Sequence, residues 1–351
     1  MGGEIDVIVA VHDIARPIGR AVRSVLGSHS VHRVIVVCHD LDADAVRTRL
    51  GALADDERVL LTEHRDGIRS PAGPFNHGLE LADARYVAVM GSDDTVTEGA
   101  FDSWHEVALS TGADMVIAPL RHAGGARVAT PPTRRRRGLR GEHDRLAFRT
   151  APLGLVSRER FGRLRFTSGL ATGEDLAYST RIWFSGAGIA AAAPPAYYEI
   201  HDDGVRVTFS RRPLREDLLA VSQLIAEPDI LALSSGQRRA LAVKLWRVNL
   251  FGGVHYRAGA WGEGDRAAAA VLAADLTRFS PESIGVLSRA EGALREALLT
   301  ASVTDDEVDE RSRRRRRFLS FSALVPVRSG LVLSRDAPLR FSAATWWAGR
   351  G

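Results

Sequence analysis

The sequence contains very little cysteine and very little lysine. Among its 351 residues, Cys38 is the single cysteine and Lys244 the single lysine. One cysteine excludes an intrachain disulfide, and it also excludes a zinc site built from several thiolates. Because nearly every basic residue is an arginine, the pI is about 9.7 although the formal net charge is only +4.

Long apolar runs are also missing. The run from Ala187 to Ala193 ends at two prolines and is far shorter than the roughly 18 residues that cross a bilayer. The first residues, MGGEIDVIVAV, carry an acid where a secretory signal needs basic residues. We therefore expect a cytoplasmic protein without a transmembrane helix. A peripheral contact with the inner face of the membrane stays open.

Arginine is concentrated in two clusters, Arg134 to Arg137 and Arg311 to Arg317. Either cluster is suited to an anionic membrane surface or to nucleic acid. The second cluster follows three acids at the spacing of exposed helical ion pairs, with Glu307 before Arg311, Asp309 before Arg313 and Glu310 before Arg314. For this cluster we favour a solvated, ion-paired helix face, whereas the first follows two prolines and is predicted to lie on a loop.

Strand-like and helix-like segments alternate through the first half of the chain. Apolar runs predict strands over residues 5–11, 33–38, 58–63, 86–90 and 114–118. Helices are predicted to start at Pro17 and to cover residues 42–54, 75–82 and 98–111. Such alternation predicts an α/β fold with a mostly parallel sheet and helices on both faces.

The second half is rich in helix-forming sequence from about residue 215. We divide the chain into a sheet domain over residues 1–212, a helical C-terminal region over 213–317 and a tail over 318–351. The tail mixes short apolar runs with arginines, and its pattern fits a strand hairpin, a homodimer contact or an interfacial membrane segment.

Polar side chains follow several of the predicted strands at the point where each strand ends. His12-Asp13, His39-Asp40 and Ser92-Asp93-Asp94 all come directly after apolar runs. In a parallel sheet these strand ends meet at one edge, which is where ligands bind. Adjacent carboxylates are costly to desolvate unless a cation or hydrogen-bond donors offset their repulsion. The sequence therefore predicts a divalent metal ion near Asp93.

Four segments in this order resemble the family 2 glycosyltransferases: IDVIVAVHDIARPIGRAVRSVL, RVIVVCHD, FNHGLELADARYVAVMGSDD and GEDLAYSTRIW. The resemblance covers roughly residues 4 to 210. It implies the GT-A fold, a nucleotide-diphosphate sugar donor, Mn²⁺ or Mg²⁺, and transfer to an acceptor hydroxyl with inversion at the anomeric carbon.

The resemblance assigns roles to the residues after the fourth predicted strand. Family members typically carry Asp-Ser-Asp-Asp where this chain has Gly91-Ser92-Asp93-Asp94, so the first acid of the Asp-x-Asp motif is missing. Asp93 matches the acid that binds the metal ion, and Ser92 lies in the donor-binding motif. Asp94 either assists Asp93 or caps the helix that begins near Glu98.

Glu174 and Asp175 match the acidic pair of which one member takes the proton of the acceptor hydroxyl in the family. We favour Asp175 as this catalytic base, with Glu174 as the alternative or as an orienting group. Both acids also lie where a helix begins, so a purely structural interaction with the helix dipole is the competing interpretation.

The segment AYYEIHDDGVRVT lies where the family has a tyrosine-rich strand that ends in a histidine. His201 is accordingly a candidate ligand of the metal ion or neighbour of the diphosphate, and Arg206 a candidate phosphate partner. The competing interpretation of His201 is an ordinary surface residue.

The predicted nucleotide pocket departs from the family pattern. His12 and Asp13 match the loop that lines the nucleoside, and Asp40 is a candidate replacement for an acid that usually contacts the base. Asn76 fits the family's Ala-Arg-Asn-x-Gly pattern, but Phe75 replaces its arginine. Arg69 or Arg65 is then expected to supply that charge, although a rigid connecting turn also explains this Gly/Pro-rich segment.

Taken together, these residues predict a metal-dependent inverting glycosyltransferase of surface polysaccharide or cell-wall glycan synthesis. Its expected partners are a nucleotide-diphosphate sugar donor and a glycan or lipid-linked acceptor. The alternative is a catalytically silent sugar-nucleotide or glycan-binding protein. Nucleic-acid binding is not expected, because no aromatic residues are interleaved with the arginines.

Overall fold

The computed structural model describes residues 3–201 and 212–349. Its strands are β1 (Ile5–Val11), β2 (Val31–His39), β3 (Val59–His64), β4 (Tyr86–Gly91), β5 (Thr95–Val96), β6 (Met115–Ile117), β7 (Leu120–His122), β8 (Arg127–Val128), β9 (Gly154–Ser157), β10 (Ile189–Ala191) and β11 (Tyr198–Ile200). The helices of the first half are α1 (Ile18–Leu26), α2 (Ala43–Leu50), α3 (Ala72–Leu81), α4 (Ala100–Thr111), α5 (Arg158–Phe161) and α6 (Leu176–Phe184).

The helices of the second half are α7 (Leu214–Leu224), α8 (Pro228–Leu231), α9 (Ser235–Lys244), α10 (Phe251–Arg257), α11 (Asp265–Phe279), α12 (Pro281–Val286), α13 (Arg289–Leu299), α14 (Asp305–Arg315), α15 (Phe321–Leu324) and α16 (Pro338–Ala348). A π-helical turn, Leu245–Leu250, joins α9 to α10.

Within the described residues, seven strands form the main sheet in the order β10-β6-β9-β4-β1-β2-β3. The pairs β4/β1, β1/β2, β2/β3 and β10/β6 are parallel, which confirms the predicted mostly parallel sheet. The five predicted strands all form. The sequence interpretation missed β9, which is antiparallel to both β4 and β6.

Each face of this sheet is covered by helices, because the strands are apolar on both sides. Val7, Val9 and Val11 of β1 pack in one cluster with residues of α1, α2 and α4. Ile8 points to the opposite face and packs in a second cluster. The two clusters bury the sheet between two helical layers and leave its strand ends at the surface.

The second cluster continues without a break into the C-terminal helices. It includes Ile8 of the sheet, Leu176 of α6, Leu214 of α7 and Val308 of α14. The helical region is therefore packed on the sheet domain. The predicted division at residue 212 lies beside residues 202–211, which are outside the described residues, and it stays a prediction.

A smaller sheet of four described strands, in the order β5-β11-β7-β8, lies next to the end of β4. Tyr198 of β11 pairs with Val96 of β5 in antiparallel fashion. This pairing brings the tyrosine-rich segment, which is about a hundred residues away in the sequence, beside the acids that follow β4.

The tail is helical where it is described, so the strand-hairpin alternative is wrong. Its two helices, α15 and α16, are joined by a 3₁₀ turn, Ser329–Leu331. Large apolar side chains of this part are exposed, among them Phe318, Leu319 and Trp347. In the described residues, no helix is long and apolar enough to span a membrane.

The ion pairs of the second arginine cluster form only in part. Glu310 pairs with Arg314 at 2.8 Å, as predicted, and also with Arg313. The prediction for Asp309 is wrong, because its carboxylate is buried and accepts hydrogen bonds from the Trp261 indole and the Gly259 N–H. Glu307 caps α14 together with Thr304.

Candidate active site

The candidate site lies at the edge of the main sheet where β4, β1, β2 and β3 end side by side. These four strands are neighbours and parallel, so their carboxyl ends point the same way. Polar residues lie at or just after these strand ends: Asp93 after β4, His12 after β1, His39 as the last residue of β2, and Asp66 after β3. The predicted convergence of polar strand ends at one edge is therefore observed.

Asp93 follows β4 and is largely enclosed, with its side chain 15% exposed. Its carboxylate forms an ion pair with the Arg16 guanidinium at 2.8 Å. The Arg20 guanidinium donates to the backbone carbonyl of Asp93 at 2.5 Å. The two arginines come from the turn before α1 and from α1 itself, so this helix brings positive charge to the end of β4.

Asp94 does not cap the following helix, and this alternative is wrong. The N-cap of α4 is Gly99, without a side-chain cap. Asp94 instead accepts hydrogen bonds from the Tyr198 hydroxyl at 2.7 Å and from the His201 backbone N–H at 3.0 Å. Burial raises the pKa of this carboxyl, while the two hydrogen bonds act in the opposite direction.

Gly91 leaves a space between the two carboxylates. A Cβ atom at this position would lie 3.0 Å from Asp93 Oδ1 and 3.0 Å from Asp94 Oδ2. Both oxygens thus face the place where the missing first acid of the Asp-x-Asp motif would begin. Carboxylate oxygens are the donors that Mg²⁺ and Mn²⁺ prefer, so Asp93 and Asp94 fit such an ion.

His201 and Ser92 border this space. The His201 ring lies 2.9 Å from the Thr95 hydroxyl, and its backbone binds Asp94. The Ser92 side chain is fully buried, and its hydroxyl has no hydrogen-bond partner among the described residues. The roles predicted for Ser92 and His201 in binding the donor or the metal ion stay predictions.

On the nucleotide side, His12 and Asp13 are exposed at the end of β1. Although His12 is exposed, its ring is partly desolvated by the surrounding protein, and this effect, followed by the nearby Arg16 charge, lowers its pKa. Asp13 accepts a hydrogen bond from the Ala15 N–H at 2.9 Å. The lowered pKa of His12 favours the neutral imidazole, which can both accept and donate a hydrogen bond.

Asp40 has a positive φ of 53° and holds the loop that follows β3. Its Oδ1 accepts hydrogen bonds from the backbone N–H groups of Asp66 and Gly67, each at 3.2 Å. Arg69 is exposed on this loop, whereas Arg65 is engaged with Glu63 and with the Leu41 carbonyl. Both arginines are exposed, and Arg65 is the one already engaged by neighbouring groups.

Asn76 joins α3 to the segment that leads to the acidic pair. Its amide nitrogen donates to the Phe166 carbonyl at 2.9 Å, and its Oδ1 accepts from the Phe166 N–H at 2.8 Å. The Phe166 ring in turn stacks on Tyr178 of α6, with ring centroids 4.5 Å apart. These contacts show that Asn76 stabilises the fold by joining two segments. Its predicted contact with the nucleotide stays a prediction.

Replacing Asn76 is expected to destabilise the protein. Asn76→Ala removes both partners of a partly buried backbone segment, which costs about 1–3 kcal/mol for an unsatisfied group. Chemical denaturation monitored by circular dichroism measures this loss. Asn76→Asp is the matched comparison: it keeps the acceptor for the Phe166 N–H but sets a carboxylate oxygen against the Phe166 carbonyl, so it is also expected to be less stable than the parent. Equal stability of Asn76→Ala and the parent protein would contradict the assignment.

Asp175 is the N-cap of α6, yet its side chain makes no capping hydrogen bond. Burial and then the Glu174 charge raise the pKa of Asp175 to about 7, although the Lys244 charge opposes both. Burial also raises the pKa of Glu174. The Asp175 side chain thus does not cap α6, and an interaction with the helix dipole stays the competing interpretation. A raised pKa is typical of a group that transfers protons.

Lys244 reaches this pair from the helical region. It is 1% exposed at the end of α9, and burial lowers its pKa to about 8 while Asp175 opposes the shift. The turn before Asp175 is also covered by α7, because a Cβ at Gly173, where φ is +79°, would lie 2.9 Å from the Ala220 methyl. The C-terminal helices thus supply part of the surroundings of the acidic pair.

The sequence interpretation missed three contributors to the site: Arg16, Tyr198 and Lys244. Arg16 follows the HD pair of the first strand, but only the fold reveals its ion pair with Asp93. The sequence did offer a signal for Lys244, because it is the single lysine beside 46 arginines. An ammonium group at this position, where the chain otherwise uses guanidinium groups, indicates a special environment. Arg206 lies outside the described residues.

Comparison with known proteins gives a consistent result. Residues 6–165 match the family model described as Glycosyl transferase family 2. The succinoglycan biosynthesis protein ExoO of Rhizobium meliloti (strain 1021) is 32% identical over 114 residues, which are 32% of this chain and 32% of ExoO. The chain thus spans about a third of the length of this curated relative.

Solved structures support the fold. TarS 1–349 of S. aureus in complex with UDP-GlcNAc has a TM-score of 0.74, with 14% identity, 89% of this chain and 92% of TarS 1–349 covered. The longer TarS structure has a TM-score of 0.71, 14% identity and 88% of this chain covered, but only 55% of TarS. At such identity the likeness concerns the fold, and it extends through the helical region. The family match over residues 6–165 therefore places a likeness to the family 2 glycosyltransferases in the sheet domain of this chain.

Proposed function

We propose that this chain is a metal-dependent, inverting glycosyltransferase, and that it moves a sugar from a nucleotide-diphosphate donor to a hydroxyl of a growing polysaccharide or cell-wall glycan. The name of ExoO, a succinoglycan biosynthesis protein, supports a polysaccharide acceptor. The UDP-GlcNAc bound to TarS supports a nucleotide-sugar donor. The observation that carries the proposal is the position of Asp175 at the start of α6, where its side chain does not cap the helix and where burial and Glu174 raise its pKa to about 7.

In the proposed reaction, Asp175 accepts the proton of the acceptor hydroxyl. The hydroxyl oxygen forms a bond to the anomeric carbon while the bond from that carbon to the diphosphate breaks. The nucleotide diphosphate leaves with the electron pair, so attack from the opposite side inverts the configuration. A group whose pKa is close to the working pH suits this task, because about half of it is ionised and the ionised form is still basic.

Asp93 and Asp94 are the residues that would hold the divalent ion. When bound, such an ion supplies positive charge to the leaving diphosphate. Arg16 already offers a positive charge at the same place, since it pairs with Asp93. Arg16 therefore has two possible roles: it leaves Asp93 and pairs with the donor phosphates, or it stays at Asp93 and supplies part of the positive charge that the divalent ion would otherwise provide.

The second candidate function is donor binding without turnover. The observations that favour it are the glycine at position 91 in place of an acid and the Arg16 ion pair of Asp93. A turnover assay with a panel of sugar nucleotides, Mn²⁺ or Mg²⁺ and glycan acceptors separates the two. Transfer that produces an inverted linkage supports the enzyme. Donor binding without transfer or hydrolysis across the panel supports the silent protein.

The rate of transfer is expected to rise with pH through about 7, as Asp175 loses its proton. Lys244 favours the ionised carboxylate, so Lys244→Met is expected to raise the pKa of Asp175. The rising limb of the kcat/KM profile then moves to higher pH by on the order of one unit.

The control for this shift is Lys244→Arg, which keeps the positive charge in a larger side chain. For Lys244→Arg, the rise of kcat/KM with pH is expected to occur at nearly the same pH as in the parent protein, even if the maximal rate is lower. A folded Lys244→Met protein with an unshifted limb would contradict the coupling between the two residues.

A further inference from the structure

The helix α16 is fixed against the protein by one face. Its Phe341 ring packs on the Phe148 ring, with centroids 4.6 Å apart. The guanidinium groups of Arg145 and Arg247 cover the same ring, at 5.6 and 5.3 Å from its centroid. Because these contacts determine how α16 is rotated, they also determine which side chains its other face presents to the surroundings.

The outer face of α16 is apolar, although a solvated helix face is normally polar. The positions i, i+4, i+7 and i+8 of a helix share one face. On the outer face of α16 these positions are Leu339, Ala343, Trp346 and Trp347, and all four residues are exposed. The two tryptophans are 58% and 59% exposed. A contiguous group of large exposed apolar side chains marks an interaction surface.

The fold brings the first arginine cluster, Arg134 to Arg137, to the end of this helix. The Arg134 guanidinium lies 5.8 Å from the centroid of the Trp347 ring. Ala348 lines a surface pocket together with Arg135 and Arg136. We call the four exposed apolar residues of α16 and the four arginines the basic–aromatic patch. Its two halves are far apart in the sequence and meet only in the folded chain.

Most of the positive charge in the basic–aromatic patch is not neutralised by the protein. All four arginines of the cluster are exposed. Arg135 pairs with Asp144 at 3.1 Å. The other three form no ion pair with an acid of the described residues, and Arg136 donates instead to the Ala192 carbonyl. The patch therefore carries a local positive field that attracts an anionic surface.

We propose that the basic–aromatic patch binds the surface of an anionic lipid bilayer. Tryptophan is favoured at the boundary between membrane and water, because its ring is apolar and its N–H still finds a partner there. Arginine keeps its charge among the lipid headgroups while its stem covers apolar surface. In this arrangement α16 lies in the plane of the interface with its outer face toward the acyl chains.

A second copy of the chain is a less suitable occupant of the patch. A twofold contact places the same surface of both copies together. The two arginine clusters would then face each other, and their like charges would repel. An anionic bilayer instead offers both an apolar layer for the tryptophans and negative charge for the arginines.

Binding at this patch would hold the candidate active site close to the bilayer. β8 leads into the first arginine cluster and is one edge strand of the smaller sheet. β5, which follows Asp94, is the other edge strand. Adjacent strands are about 4.8 Å apart, so the two edges are about 14 Å from each other. Membrane binding itself does not require any particular acceptor.

The test measures binding of the full chain to lipid vesicles by flotation in a density gradient. Vesicles of phosphatidylcholine alone are compared with vesicles that contain about one third phosphatidylglycerol. We expect the chain to float with the anionic vesicles only, and the bound fraction to fall as salt is added. No binding to the anionic vesicles, or equal binding to both kinds, overturns the proposal.

Variants of the two halves of the patch locate the contact. Trp346→Ser combined with Trp347→Ser is expected to weaken binding to the anionic vesicles at least about 10-fold, because apolar area is lost. The same two positions changed to phenylalanine are expected to retain most of the binding. Arg134→Gln combined with Arg137→Gln is expected to weaken binding about 20-fold and to reduce its dependence on salt. Circular dichroism checks that each variant is folded.

Matched controls remove similar groups elsewhere. Arg47→Gln combined with Arg49→Gln removes two exposed charges of α2, and Leu109→Ser removes an exposed apolar side chain of α4. Both are expected to bind the anionic vesicles like the parent protein. Because no donor or acceptor is present, the result does not depend on whether the chain transfers sugars.

Two further outcomes would overturn the proposal. Phe318 and Leu319 are also exposed. If Phe318→Ser combined with Leu319→Ser abolishes vesicle binding while the tryptophan and arginine variants bind like the parent, the contact lies there instead. If the parent is a dimer by sedimentation and the tryptophan-to-serine variant a monomer, with no vesicle binding by either, the patch binds a second copy.

Discussion

Asp175→Asn is expected to reduce the rate of sugar transfer by about 10²–10⁴-fold and to leave donor affinity unchanged. The asparagine has nearly the same shape, but it cannot accept the proton of the acceptor hydroxyl. Initial rates of transfer at saturating donor, together with calorimetric titration of the donor, measure the two effects separately.

Glu174→Gln is the matched control for this experiment. It is the neighbouring carboxylate, and its pKa is also raised by burial. If Asp175 is the base, Glu174→Gln loses far less activity than Asp175→Asn. The reverse order would assign the role to Glu174, and full activity in both variants would contradict a base in this pair.

Asp93→Ala is expected to abolish the gain in donor affinity that Mn²⁺ or Mg²⁺ provides. Removal of the carboxylate leaves the diphosphate and the ion without their link to the protein, which we expect to weaken cation-dependent binding about 100-fold, or about 2.8 kcal/mol. Titration of nucleotide diphosphates with and without the cation measures this difference.

The Arg16 ion pair complicates a simple alanine substitution, because removal of Asp93 also frees a guanidinium. Arg16→Gln is therefore measured alongside, to show the effect of losing the guanidinium. Asp44→Ala removes an exposed acid of α2 and is expected to leave donor affinity unchanged. Equal donor affinity in Asp93→Ala and the parent, at every cation concentration, would contradict the assignment of Asp93.

Much of the fold was predictable because its strands are strongly apolar. The five strands that the sequence predicts all form, and α1 and α4 begin within two residues of their predicted positions. By contrast, β9 was missed because GLVS is only four residues long and is flanked by arginine-rich segments. Short strands that depend on neighbours for pairing carry little periodic signal of their own.

The candidate site was predictable only to the level of individual motifs. Asp93 and the acidic pair stand out because each follows or precedes an apolar element. The partners of Asp94 could not be foreseen, since Tyr198 and His201 reach it through the pairing of β11 with β5, about a hundred residues apart. The sequence already favoured Asp175 over Glu174, but it could not show that the charge of Lys244 acts on Asp175.

The unbroken apolar cluster that runs from β1 through α6 into α14 has an evolutionary consequence. Recombination between related genes near residue 212 would join a sheet domain to C-terminal helices from another protein. The apolar faces of those helices would have evolved to pack on a different α6. Chimeras of that kind are expected to fold only when α6 and α7 are inherited together. The helices that flank Asp175 can therefore diversify only in step with the domain that they cover.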